Sequence, residues 1–237
     1  MKTLMTIMFF LFLMSCTDKI SKEELFEGYE EEVQKNYLSH NNTPSTDEVL
    51  IGQQVWKVEN LDVDTFLNGD PILEMKSDLD WETAGNDGIP AWSYFNNEKE
   101  SSYGKLYNFH AVADPRCLCP EGWRIPTDED WIRLGLTVSE NIAYNLKSKD
   151  AWPKDGNGGD YYGFNAKPNG MRYYDGQFFY LNESAFWWTG SSVVLKHAWL
   201  RYFDEDYSDR IFRITARRAA GMGVRCMKDY LGEDEIQ

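Results

Sequence analysis

From residue 49 onward, the chain is built of short segments rich in aromatic and β-branched residues, separated by turn residues. This pattern is typical of antiparallel strands joined by tight turns. The clearest hairpin signal is Asp175-Gly176, which lies between the aromatic segments 172–174 and 177–180. A first hairpin is predicted over 49–58, where Gly52 separates two apolar runs. Further strands are predicted at 186–189, 198–202 and 223–226.

Helical signals are confined to the middle of the chain. Thr127 is a predicted N-cap followed by three acidic residues, which interact favourably with the positive end of a helix dipole. A second helix is predicted over 139–147. Two long loops are predicted, over 77–102 and 149–163, and loops of this length are usually functional.

The first fifteen residues have the features of a secretory signal. Lys2 precedes an apolar stretch over 4–14, which is shorter than the roughly 20 residues that span a bilayer. Ser15 and Cys16 follow it and resemble the bacterial lipobox, in which cleavage occurs just before a lipidated cysteine. We therefore predict an outer-membrane lipoprotein of the cell envelope, anchored through lipid on Cys16 and attached by an acidic tether over 16–48. Surface display is left open, and an ordinary signal peptide is the alternative.

Seven phrases occur in a characteristic order: IGQQVW (51–56), YGKLYNF (103–109), CPEGWRIPT (119–127), NLKS (145–148), GFNA (163–166), FWWT (186–189) and GVRCMKD (223–229). Together they resemble the Fibrobacter succinogenes major paralogous domain, a family of secreted and lipid-anchored bacterial proteins. The resemblance covers about residues 50–229, which predicts a domain over 49–229 and an acidic tail over 230–237. It implies a C-type-lectin-like α+β fold, with short antiparallel strands, two helices and long loops. The family is distantly related to the formylglycine-generating sulfatase-modifying enzymes.

The resemblance also implies a disulfide between Cys119 and Cys226. An exported protein meets an oxidising compartment in which such a bond persists. Cys117 is two residues from Cys119, so a Cys117–Cys226 bond remains an alternative, as do three reduced cysteines. A zinc site is disfavoured because no fourth ligand lies at a recognisable spacing.

The residues give little support to catalysis. The related enzymes use a reactive cysteine pair shortly before the terminal cysteine phrase, and the corresponding stretch 209–220 contains no cysteine. No Gly-x-Ser-x-Gly motif marks a serine nucleophile, and no two carboxylates stand out by spacing. We therefore predict a protein that is not an enzyme and needs no cofactor, with an uncharacterised glycan-active hydrolase as a remote alternative.

The charges of the chain argue against binding of calcium and of nucleic acid. Calcium-dependent lectins hold the metal with a Glu-Pro-Asn or Gln-Pro-Asp phrase, and the nearest phrase here begins with the cation Lys167. No metal site is therefore predicted. The formal net charge is −15, whereas binding to nucleic-acid phosphates requires a cationic surface.

Aromatic residues in the two long loops remain as predicted ligand contacts, because Trp and Tyr dominate binding hot spots. We predict a non-enzymatic binding or adhesion module that recognises a glycan or a surface protein partner through these loops. A structural subunit of an envelope complex is the alternative, and local packing of the loops would explain the same residues. The predicted contacts are Trp92, Tyr94, Trp152, Tyr161 and Tyr162.

Overall fold

The computed structural model describes residues 47–99, 103–153, 155–193 and 196–230. The predicted signal peptide, Cys16, nearly all of the tether and residues 231–237 lie outside this part of the chain. Within it, no helix is both long and apolar enough to cross a membrane.

Twelve strands and four short α-helices make up the regular structure of the described residues. The helices are α1 (Asp78–Asp87), α2 (Phe109–Val112), α3 (Asp128–Val138) and α4 (Ile142–Leu146). The strands are β1 (Glu48–Ile51), β2 (Gln54–Lys57), β3 (Leu73–Glu74), β4 (Ala91–Ser93), β5 (Leu106–Asn108), β6 (Asn169–Arg172), β7 (Phe178–Leu181), β8 (Ser184–Ser192), β9 (His197–Asp204), β10 (Phe212–Arg217), β11 (Gly221–Met222) and β12 (Met227–Asp229).

Nine of the strands form one large sheet in the order β10-β9-β8-β6-β11-β5-β4-β3, with β7 paired to β6. Its longest strands, β8 and β9, are antiparallel, and β10 pairs with β9 at the edge. The first and last strands meet in a second sheet of order β1-β2-β12. The predicted hairpins at 49–58 and around Asp175-Gly176 are thus confirmed.

Helix α3 covers one face of the large sheet. Thr127 caps it as predicted, since its Oγ1 accepts from the backbone N of Asp130 while the Asp130 carboxylate accepts from the backbone N of Thr127. Trp131, on the buried side of the helix, contacts Trp187 of β8 with ring centroids 5.6 Å apart. Trp56 and Phe164 complete this aromatic core, and both rings lie within about 6 Å of Trp131.

The prediction of a C-type-lectin-like α+β fold is wrong, because the domain is mainly β with one nine-stranded sheet. Its strands are not uniformly short, since β8 has nine residues and β9 has eight. The predicted loop 77–102 contains α1 and β4, and the helix begins where the Ser77 side chain accepts from Asp80 N. The second loop, 149–163, has no regular helix or strand in the part described.

Candidate functional site

Trp92 and Tyr94 do not form a ligand-facing loop. Trp92 lies on β4 with 7% of its surface exposed, and its Nε1 donates to the Ile72 carbonyl at 3.0 Å. Tyr94 packs edge-on against it, and Lys105 Nζ lies 4.4 Å from the centroid of the Trp92 ring. These rings stabilise the core and have no free face for a ligand, so their assignment as ligand contacts is corrected.

Trp152 is also a core residue, although it lies in a genuine loop. Its exposed fraction is 3%, and its Nε1 donates to the Ala166 carbonyl at 2.8 Å. Tyr162 packs against the same core in a partly buried position. Of the five predicted contacts, only Tyr161 is well exposed, at 73%, and its ring lies beside Tyr144. Burial therefore argues against ligand contact by Trp92, Tyr94 and Trp152, whereas ligand contact by Tyr161 and Tyr162 stays a prediction.

The Cys119–Cys226 disulfide implied by the resemblance is confirmed. The bond joins residues 107 positions apart in the chain. Cys117, the other cysteine of the described part, is a free and exposed thiol. Among the described ranges, no group of three or more His, Cys, Asp or Glu side chains lies close enough to hold a metal ion.

Eight aromatic rings follow one another across the strands at one end of the large sheet, and we call them the aromatic row. Successive ring centroids lie 4.5 to 6.1 Å apart. These separations lie almost entirely within the range in which aromatic pairs attract one another. In spatial order the members are Tyr174, Tyr173, Phe179, Tyr180, Phe186, Tyr202, Phe212 and Tyr207.

The register of β8, β9 and β10 explains the middle of the row. Phe186 lies directly opposite Tyr202, and Tyr202 lies directly opposite Phe212. Residues opposite each other in neighbouring strands project from the same face of the sheet. The three rings are therefore stacked, with interplanar angles of 22° and 16°.

The β7 segment adds two rings through an unusual backbone conformation. Successive side chains of a regular strand point to opposite faces, but Tyr180 has a φ of +64°. This left-handed conformation interrupts the alternation, and the centroids of Phe179 and Tyr180 lie 6.0 Å apart. The two side chains are 44% and 50% exposed. Such a φ is unfavourable for a bulky residue other than glycine, so the packing around β7 must hold Tyr180 in this conformation.

The row borders a surface groove with a volume of about 660 Å³. Aliphatic side chains such as Leu200 and Met222 form part of its lining, together with Ser184 and Asp204. Ser184 Oγ donates to Asp204 Oδ2 at 3.1 Å. Burial raises the pKa of Tyr202, and the neighbouring Asp204 adds to that rise. The phenol of Tyr202 is thus a neutral hydroxyl at neutral pH, able to donate or accept a hydrogen bond.

The sequence does not predict this groove, because most of its rings belong to strands, where aromatic residues are common. The segment 172–180 forms the predicted hairpin, and Tyr and Phe are frequent strand residues whether or not they contact a ligand. Their density was the available signal, since five of nine positions are Tyr or Phe. Adjacent aromatic residues occur on both sides of the tight turn. Because successive side chains of a strand point to opposite faces, they cannot all lie on the one buried face of a hairpin.

The family model of the Fibrobacter succinogenes major domain matches residues 49–228. The chain belongs to this family. The match spans both sheets and all residues of the aromatic row, so the groove is part of the Fibrobacter succinogenes major domain itself. No curated protein and no solved structure matches the chain.

Proposed function

We propose that this protein is a non-catalytic binding module that recognises a glycan through the groove along the aromatic row. The observation that carries the proposal is the continuous series of aromatic rings, several of them exposed, beside a groove of about 660 Å³. A sugar presents an apolar face of C–H groups, and a planar ring stacks against that face while hydroxyls bind polar groups nearby. Tyr202, Ser184 and Asp204 supply such polar groups in the groove.

The carboxylates of the groove favour binding over hydrolysis. Asp204 accepts from Ser184 Oγ and, through its other oxygen, from the backbone N of Asp206. Asp175 accepts from the backbone N of Gln177 and thereby stabilises the hairpin turn. Both carboxylates hold local structure, whereas a glycosidase needs one acid and one base directed at the substrate.

The cellular setting of the proposal rests on the N-terminal sequence. Lipid on Cys16 would anchor the domain in the outer membrane, and the tether over 16–48 would separate the groove from the bilayer. We expect wild-type protein to fractionate with membranes and a Cys16→Ala variant to be released. Recovery of that variant in the membrane fraction would contradict the lipid anchor.

A glycan array probed with purified protein tests the binding function. We expect specific binding that is reduced at least ten-fold by Phe179→Ala and left unchanged by Tyr161→Ala, the matched loss of an exposed ring outside the groove. Equal loss in both variants would show that the row is not the site. Failure to bind any glycan would contradict the proposal and favour a structural subunit of an envelope complex, in which a protein partner covers the rings.

A further inference from the structure

A second depression of about 460 Å³ continues the groove at the Tyr174 end of the aromatic row. The two depressions share Tyr174, His197 and Arg217 in their linings. A ligand lying along the row could therefore extend into the second depression. The other lining residues used below are His110, Asp87, Lys196 and Arg218.

Two arginines in this depression differ from all others in the chain. The protein has ten arginines, all within the described residues. Eight use the guanidinium group to donate hydrogen bonds to protein oxygens. Arg217 and Arg218 have neither a hydrogen bond nor an ion pair from the guanidinium group to any described residue. In a chain with 39 acidic residues, two adjacent unpaired guanidinium groups need a separate explanation.

Aromatic rings hold both side chains in place. The Arg217 guanidinium lies 4.0 Å from the centroid of the Tyr174 ring, and that of Arg218 lies 5.2 Å from the centroid of Phe109. The backbone is fixed too, because Arg218 N donates to the Lys196 carbonyl at 2.8 Å. The Nε of Arg218 is buried and lacks a hydrogen-bond acceptor. A buried donor without an acceptor lowers stability, so an anion that reached it would bind favourably.

The remaining groups of the depression are predominantly cationic or neutral. Lys196 and His197 are exposed at its rim, and Asp87 is the single carboxylate among its lining residues. His110 Nε2 donates to the Gly85 carbonyl at 3.1 Å. Burial lowers the pKa of His110, and the nearby charge of Arg218 lowers it further. The depression therefore has three positive charges, from Lys196, Arg217 and Arg218, and one negative charge, from Asp87.

We propose that this depression binds the carboxylate or sulfate group of an acidic glycan whose adjoining sugar rings lie along the aromatic row. The guanidinium group offers paired donors that match the oxygens of either anion. This inference rests on the proposed glycan function and specifies its ligand class. Acidic peptides share the anionic chemistry, but the adjoining row of rings favours a sugar chain.

The test is an array that carries acidic glycans beside the same chains after carboxyl reduction or desulfation. We expect binding to the acidic member to be at least ten-fold tighter and to weaken as salt is raised. In the variant Arg217→Gln/Arg218→Gln, the ratio of the affinity for the acidic chain to that for its neutral counterpart should fall to about one. The control Lys76→Gln/Lys149→Gln removes two charges from exposed positions outside both depressions and should keep the preference. Carboxylated and sulfated pairs show which anion is bound.

Each other outcome contradicts a defined part of the proposal. Binding to neutral chains alone, or an acidic preference that survives the double arginine change, overturns the anion site and leaves glycan binding intact. Tighter binding of poly-glutamate than of any acidic glycan overturns the glycan assignment. Absence of all glycan binding overturns the proposed function itself. Near-ultraviolet circular dichroism of both double variants verifies that the fold is unchanged.

Discussion

The two faces of strands β8, β9 and β10 have similar sequence patterns but different surroundings. One face carries Trp187 and Phe203, which pack with Trp131 of α3 in a closed core. The other carries Phe186 and Tyr202, which line an open groove, and Phe212, which stacks on Tyr202. Both faces are rich in aromatic residues, so composition alone does not distinguish them.

Polar groups mark the difference between the two faces. On the covered face, Asn60 Oδ1 accepts from Trp187 Nε1 at 2.7 Å and from the buried guanidinium of Arg225. At the open side, Arg217 and Arg218 remain without acceptors in the described structure. The covered core also has unpaired donors, because Trp56 Nε1 and Trp131 Nε1 are buried without an acceptor. The contrast therefore concerns charged groups, which are the most costly to leave unpaired. The unpaired guanidinium groups beside exposed rings are the basis of the anion site proposed above.

The largest effect is expected from Trp187→Ala on the covered face. The ring contacts Trp131, Phe164 and Phe203, so its removal leaves a cavity and should lower the free energy of unfolding by about 3–5 kcal/mol. Urea denaturation measures this change. Phe179→Ala on the open side is the control and should cost about 1 kcal/mol or less. Equal losses would show that the two faces are equally packed.

A smaller loss is expected from Arg225→Met. Its guanidinium donates to Asn60 Oδ1 and to the Phe164 carbonyl, and burial lowers the pKa of Arg225 to about 9. Methionine preserves much of the volume but leaves the Phe164 carbonyl unpaired and Asn60 Oδ1 with only the bond from Trp187 Nε1. The loss should lower the free energy of unfolding by about 2–4 kcal/mol. The matched change Arg217→Met removes a guanidinium that has no acceptor among the described residues and should alter stability by less than about 0.5 kcal/mol. A large loss there would mean that Arg217 has a structural role.

Acid should weaken the helix that covers the closed face. Burial alone would raise the pKa of Asp130, but hydrogen bonds from Arg124, Thr127 and Arg133 outweigh it and hold that pKa well below its ordinary value of 3.8. The stability that the ionised Asp130 carboxylate contributes is therefore fully present above about pH 4, and it declines as the pH falls further.

The substitution Asp130→Asn tests this sign. At pH 7 the variant should be less stable than wild type by about 1–3 kcal/mol, and the gap should narrow below pH 4. Urea midpoints at pH 7, 5 and 3 measure the gap. Asp229→Asn changes an exposed carboxylate that contacts Arg124 and Arg133, and it should have a smaller effect at every pH. A gap that widens in acid would contradict the direction of the shift.

The smallest effect concerns the backbone of the open face. Because Tyr180 has a positive φ, Tyr180→Gly should be more stable than Tyr180→Ala by about 1 kcal/mol. At the neighbouring Phe179 the order should reverse, since glycine only adds disorder to the unfolded chain there. Thermal denaturation of the four variants measures both differences. The same order at both positions would mean that the conformation of Tyr180 is not the cause.

Local signals in the sequence were sufficient for the hairpins and for α3. The Asp175-Gly176 turn and the Thr127 cap act within a few residues, so their structures follow from their neighbours. Helix α1 has comparable capping residues, with Ser77 before its first turn and Gly88 after its last. It was not predicted because it has too few apolar residues to show a helical periodicity. The assumed loop then led to the assignment of Trp92 and Tyr94 as ligand contacts.

The site depended on information that lies far apart in the chain. Whether a strand face is covered depends on which helix packs against it, and α3 precedes β8 by more than 40 residues. Likewise, the sequence does not show which arginines have an acceptor. That Arg217 and Arg218 have none among the described residues is known only from the structure. The family resemblance supplied the Cys119–Cys226 bond correctly, while the fold transferred with it was wrong.

That bond has a mechanical consequence. Every ring of the aromatic row, together with Arg217 and Arg218, lies between Cys119 and Cys226. A pull applied through residues 47 and 230 would be transmitted across the disulfide. The residues between Cys119 and Cys226, which are 107 positions apart in the chain, would bear no tension. The disulfide therefore prevents a chain segment with a contour length of about 350 Å from being stretched. The terminal sheet could be peeled apart under load while the groove kept its shape and its hold on a ligand.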